Sequence, residues 1–174
     1  NIGGLTPGIT YYIRVYTTSS ISTVDATFNI CVGTPPPPPS NDECTGAIAL
    51  TVNSNLNCGV VTAGTTAGAT QSVNTPNPPC SATNGWNDDV WYSFVATAPD
   101  HRISLLNVNG STTNMLVTVY SGTCNTLTLI SCTNTNPTVV NLNALIPGDT
   151  YYIRVHTAPA TADDANFNIC VGTL

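Results

Sequence analysis

Cysteine is the residue with the most evident chemistry in this sequence, at positions Cys31, Cys44, Cys58, Cys80, Cys124, Cys132 and Cys170. No two are spaced as CxxC, and neither histidine, His101 or His156, lies beside one, so the spacing speaks against zinc. Thiols scattered through a Thr/Asn-rich chain instead predict a disulfide framework made in an oxidising compartment. Cys124 and Cys132 flank a short stretch and are expected to staple a hairpin. Cys58 and Cys80 enclose most of the segment 63–85, rich in Gly, Thr, Asn and Pro, where a bridge would supply ~3 kcal/mol that packing cannot. Cys44 and Cys170 then tie the two ends of 40–174. Spacing alone selects these three pairs from about fifteen that six cysteines permit. Cys31 is left either with a Cys44-like partner ahead of residue 1 or with Cys44 itself.

Catalytic constellations are not expected. Asp100, His101 and Ser104 have the right types for a nucleophile relay, but neighbours on a strand point to opposite faces, so Asp100 cannot orient His101. Adjacency likewise splits Asp88 from Asp89 and Asp163 from Asp164. No phosphate-binding loop, dinucleotide fingerprint or metalloprotease helix is present. His156 stands where an earlier, similar stretch has Tyr16, which reads as a tolerant surface position. Trp86 and Trp91, with Tyr92, form a candidate platform for stacking a glycan; the alternative is a Trp in the core. Asn109-Gly-Ser is a glycosylation sequon or simply a hairpin turn.

The elements that must position these groups are strands. Tyr151, Ile153 and Val155 alternate with polar neighbours, as do Ala165, Phe167, Ile169 and Val171. Similar alternation marks Ile48/Leu50/Val52, Val90/Tyr92/Phe94, Ile103/Leu105, Met115/Val117/Val119, Leu127/Leu129 and Val140/Leu142. Turn signals at Asn109-Gly110-Ser111, Ser121-Gly122-Thr123 and Pro147-Gly148-Asp149 separate them. The expected fold is all-β: an antiparallel, jelly-roll-like β-sandwich. Charged residues are only 7% of the chain, with a net charge of −6 and no lysine; the cations are Arg14, Arg102 and Arg154. That balance excludes nucleic acid as a partner. No apolar run is long enough to insert in a membrane as a helix.

Two blocks occur twice. LTPGITYYIRVY at 5–16 returns as LIPGDTYYIRVH at 145–156, an offset of 140, and ATFNICVGT at 26–34 returns as ANFNICVGT at 165–173, an offset of 139. Divergence confined to the loop between two matching strands is how a duplicated β-unit ages. Between the copies run five prolines, 35–39, which adopt a stiff polyproline II rod. The expected organisation is a tandem repeat: 1–33 the last strands of a preceding repeat, 34–39 a polyproline spacer, and 40–174 one complete unit. An export signal is expected upstream.

The order SNDECTGAIAL, DVWYSF, MLVTVYSGTC, LIPGDTYYIRV and a closing FNICV strand resembles the bacterial pre-peptidase C-terminal domain. The resemblance covers 40–174 fully and 1–33 as two strands. It implies accessory sandwich material of large secreted or surface proteins. It also implies a calcium site between Asn41, Asp42 and Glu43 on one side and Asp88 and Asp89 on the other, the alternative being turn-capping and solvated loop charges. The first expectation for function is a structural, non-enzymatic module of an extracellular stalk or filament, partnered end to end by neighbouring repeats or copies. The second is binding of carbohydrate or another surface polymer.

Overall fold

Side-chain alternation sets the architecture of the computed structural model, which describes residues 4–18, 25–73, 75–76, 78–80, 88–135, 138–157 and 163–174. Ten strands form there: β1 (Ile48–Ala49), β2 (Val52–Asn53), β3 (Thr62–Thr65), β4 (Asp89–Val95), β5 (His101–Gly110), β6 (Met115–Ser121), β7 (Thr128–Thr133), β8 (Val139–Leu142), β9 (Thr150–Thr157) and β10 (Ala165–Thr173). The described residues contain one helical element, a 3-10 turn at Cys44–Gly46. One sheet runs β1-β4-β9-β6-β7; the other runs β2-β10-β5-β8, with β3 also paired to β10. The fold is the expected β-sandwich, but its sheets are mixed, because β1 joins β4 and β2 joins β10 in parallel.

Those parallel pairs come from a stretch that alternation reads as one strand. Ile48 and Val52 are placed in different sheets, and the chain crosses between them at Leu50, whose N–H donates to the Ser93 carbonyl at 2.7 Å. β3 carries no apolar pattern at all. It exists because Gly64 leaves room for the Tyr92 hydroxyl and the Phe167 ring, both of which a Cβ would strike.

The core lies between the sheets. Val90, Tyr92 and Phe94 of β4, Ile153 and Val155 of β9, and Val117 and Val119 of β6 meet Ile103, Leu105, Phe167, Ile169 and Val171. Full burial of each such side chain stabilises by roughly 1.5–3 kcal/mol. The Tyr92 and Phe167 rings meet edge to face across the two sheets, centroids 6.1 Å apart. A second cluster, Cys44, Trp91 and Tyr120, covers the outer face of the β4 sheet.

Three disulfides hold this unit, in pairings other than those spacing favours: Cys44–Cys124, Cys58–Cys170 and Cys80–Cys132. Cys124 and Cys132 do not staple the β6–β7 hairpin. Cys132 faces Thr118 well down the ladder whereas Cys124 lies beyond its end at Ser121 and Thr128, a separation of about 10 Å at ~3.4 Å per residue. Cys44 and Cys170 cannot meet either, because Cys44 packs with Trp91 outside one sheet while Cys170 projects from the other. Cys58 is drawn to β10, which leaves Cys80 to Cys132 on β7. The bridges span 80, 112 and 52 residues, and loops of that length are worth about 4–5 kcal/mol each in the chain-entropy model.

The chain divides into two compact units, Asn1–Thr34 and Pro35–Leu174. In the smaller one, where the repeat predicts the last strands of a preceding unit within 1–33, the described residues form no strand. Isolated strand pairs lack the buried face that stabilises a sheet. In the larger unit the prolines do not run free. The carbonyl oxygens of Pro36 and Pro37 lie 2.6 and 2.8 Å from where a Cβ on Gly68 would stand, at a turn with φ of +75°.

Candidate functional site

The two motifs with the most chemical character, DVWYSF and YYIRV, become neighbouring strands. β4 and β9 pair so that Asp89 faces His156 and Trp91 faces Arg154. Alternation puts Asp89, Trp91, Arg154 and His156 on the outer face of that sheet, yet each is completely buried. Arg154 Nε donates to Asp89 Oδ2 at 2.9 Å. Its guanidinium carbon lies 5.8 Å from the Trp91 ring centroid. Trp91 Nε1 donates to Ser72 Oγ at 2.7 Å and to Asp89 Oδ2 at 3.1 Å. The Ser72 amide donates to Asp89 Oδ1 at 2.9 Å, and the Ser72 hydroxyl bonds Asp89 Oδ2.

The lid over this pair is the segment 41–44 with the turn at 70–72. Asn41 exchanges two bonds with Trp91: Trp91 N–H to the Asn41 carbonyl at 2.8 Å, and Asn41 Nδ2 to the Trp91 carbonyl at 2.9 Å. Asp42 accepts from the Thr70 amide at 2.6 Å and its hydroxyl at 2.7 Å. The Cys44–Cys124 bridge pins the lid down. These bonds recover part of what desolvation of the two charges costs, while Arg154 Nη2 has no hydrogen-bond partner among the described residues.

The fold brings together part of the set expected to hold calcium. Asn41, Asp42 and Asp89 do gather, but Asp42 binds Thr70, and Asp89 binds Arg154, Ser72 and Trp91. Calcium needs six to eight free oxygens. Asp88 turns elsewhere, with φ of +66°, toward Asp163 and Asp164. Burial, then those two carboxylates, push its pKa up to about 6, and its Oδ2 has no hydrogen-bond partner among the described residues. Glu43 is also raised, by burial first. Among the described residues no three His, Cys, Asp or Glu side chains are placed to hold a metal.

Trp91 offers no stacking platform, because it is sealed under the lid. Trp86 lies outside the described residues. His101 is a structural group. Its Nε2 accepts from the amides of Thr97 and Ala98 at 3.1 and 3.2 Å, which closes the β4–β5 turn. His156 is no surface residue: it is fully buried, and burial, then the Arg154 charge, lower its pKa to about 4. Alternation alone does not reveal the ion pair, although the sequence carries a signal of it. Of three cations, two, Arg14 and Arg154, sit at the same place in the repeated block. An open cleft of about 380 Å³ lies between β1 and β3, lined by Asn41, Ile48, Ala63, Gly64, Thr65, Tyr92 and Asn166. Burial pushes the Tyr92 hydroxyl at its floor up to about 12, so it stays a neutral donor and acceptor.

Sandwich, buried ion-pair lock and three bridges together define a disulfide-stapled β-sandwich accessory module. Residues 40–169 match the galactose binding domain-like family associated with T9SS, and the chain belongs to that family. The association and the disulfides are those of a domain of secreted, extracellular proteins. None of the curated proteins is similar enough to count as a relative.

Proposed function

We propose that the chain is a non-enzymatic structural module of an extracellular tandem-repeat protein, a stalk or filament whose units follow one another end to end. In finer classification the unit resembles the cysteine-bearing pre-peptidase C-terminal domains of such proteins. One observation carries the reading. Residues 150–157 and 165–173 supply a central strand to each sheet, and closely similar blocks occur again at 5–16 and 26–34, where their apolar side chains are exposed. Strands of that kind are made to be covered. Electron micrographs of the secreted polypeptide should show linear arrays of beads; dispersed single globules would defeat the proposal.

A second reading, carbohydrate binding by an accessory domain, draws on the family description and on the cleft between β1 and β3. Galactose and surface polysaccharides titrated against the chain should then shift the amide resonances of Thr65 and Asn166. Unmoved resonances at millimolar sugar would discard it.

A further inference from the structure

We infer that Cys31 is disulfide-bonded to the counterpart of Cys58 in a second unit, one that precedes residue 5 in the same polypeptide and takes 5–34 as its own last two strands. The inference rests on the tandem reading above and names the partner surface and its covalent clamp.

Cys31 is equivalent to Cys170, which bonds Cys58 with the Cα atoms 5.8 Å apart. Cys31 itself is free and exposed. The other six cysteines are committed to one another, Cys44 to Cys124 among them, which removes Cys44 and any counterpart of Cys44 as the partner. Gly33 points independently to the same loop. Its equivalent Gly172 must be glycine because a Cβ there would stand 2.5 Å from the Asn55 carbonyl oxygen, in the turn that carries Cys58. Around Gly33 nothing lies within 4 Å, so its own surroundings give no reason for glycine. The segment 26–34 thus keeps both the thiol and the gap that a 53–58 loop requires.

Charge agrees with this occupant. Arg14 is exposed and stacks on Tyr16 at 5.4 Å, whereas its equivalent Arg154 is buried on Asp89. The turn leading into the strand is already set. Tyr11 Oη accepts from the Thr6 amide at 2.9 Å, as Tyr151 Oη does from Ile146 at 3.0 Å. Chain order selects the preceding unit over a second molecule. A second molecule's slot holds its own β9 and β10, whereas in a tandem chain the body runs directly into these strands, as β8 runs into β9 here. Bond formation removes two electrons and two protons from the thiols. They pass to an oxidised dithiol oxidoreductase, the class of oxidant the three existing bridges already require.

The test joins a copy of residues 35–144 directly to Leu5 of the chain and compares this two-unit protein with the chain alone. Cys31 should react fully with iodoacetamide in the chain alone. In the two-unit protein it should lose at least nine-tenths of that labelling, and non-reducing peptide mapping should link it to the added copy's Cys58. Cys58→Ser in the added copy should restore the labelling. Amide exchange across 9–16 separates the two ideas. Protection there with Cys31 still labelled, or linked to Cys44, overturns the disulfide and leaves the tandem reading standing. Rapid exchange there, with Cys31 labelled, overturns both.

Discussion

The same block of sequence occurs twice in this chain and has two fates. Ile153 and Val155 are fully buried, while Ile13 and Val15 are 58% and 52% exposed; Val171 is buried, and Val32 is 79% exposed. What the copies share is short-range: Ile9 donates to the Thr6 carbonyl at 3.3 Å as Asp149 does to Ile146 at 3.1 Å, and the tyrosine of each closes the same turn. What only the later copy has is long-range: the ladders to β4 and β6, the ion pair with Asp89 and the bridge to Cys58. Turn geometry is therefore local, encoded within six residues. Strand geometry is conferred by neighbours, which is why β-propensity fits a half-buried surface better than a backbone preference.

Experiments that alter one copy and then the other sharpen that contrast. The largest effect should come from reduction. Loss of three bridges worth about 4–5 kcal/mol each removes about 12–15 kcal/mol, the upper end of the ~5–15 kcal/mol by which domains are usually stable. Unit Pro35–Leu174 should lose its near-ultraviolet circular dichroism in reductant, whereas Cys31→Ser should leave it unchanged. Next comes the ion pair. Arg154→Leu strands Asp89 without its counter-ion and should cost about 3–5 kcal/mol in urea unfolding. Arg14→Leu should fall within about 0.5 kcal/mol of the parent, as exposed substitutions do. Ile153→Ala should cost about 2–5 kcal/mol by opening a cavity, and Ile13→Ala almost nothing. Equal losses in the two copies would show that 5–34 is packed in this chain as tightly as 145–173, and would erase the contrast.

Most of the architecture is legible in the sequence because period-2 alternation survives wherever a strand has one face in the core, as in β4, β6, β9 and β10. Legibility fails where backbone or polar groups decide. β3 (Thr62–Thr65) is held by a glycine vacancy and its ladder to β10, neither of which leaves a hydrophobic pattern. Ile48 to Val52 alternates correctly, yet nothing in that alternation says the chain changes sheets at Leu50. Cysteine pairing fails for a related reason: partners 80, 112 and 52 residues apart are set by which face each strand shows, not by sequence distance. The carboxylates Asp42 and Asp89 enter as metal ligands through the family resemblance, and only the fold reveals Thr70 and Arg154 as their partners.

The smallest effect, and the most discriminating, concerns the titratable position at which the copies of β9 differ, His156 against Tyr16. Burial and Arg154 hold the folded pKa of His156 near 4, below the unfolded value of 6.5. The unfolded chain therefore binds the extra proton between these values. Stability from this group is complete above pH 6.5 and is lost as pH falls toward 4, by about 2 kcal/mol at pH 5 on 1.36 kcal/mol per pKa unit. Asp88 works the other way. Its folded pKa of about 6 lies above the ordinary carboxyl value of 3.8, so the folded state binds the extra proton and gains stability as pH falls through 6. The two groups offset one another over the same window, and the parent should show a shallow decline. His156→Tyr, which installs the residue of the first copy, removes the loss and keeps the gain. Its urea midpoint should rise from pH 7 to pH 5. Asp88→Asn removes the gain and should steepen the decline over the same interval. Parallel pH profiles for parent and His156→Tyr would mean that the imidazole is solvated. The outer face of β9 would then be open at that end, and the lock built on Asp89 and Arg154 would not extend to it.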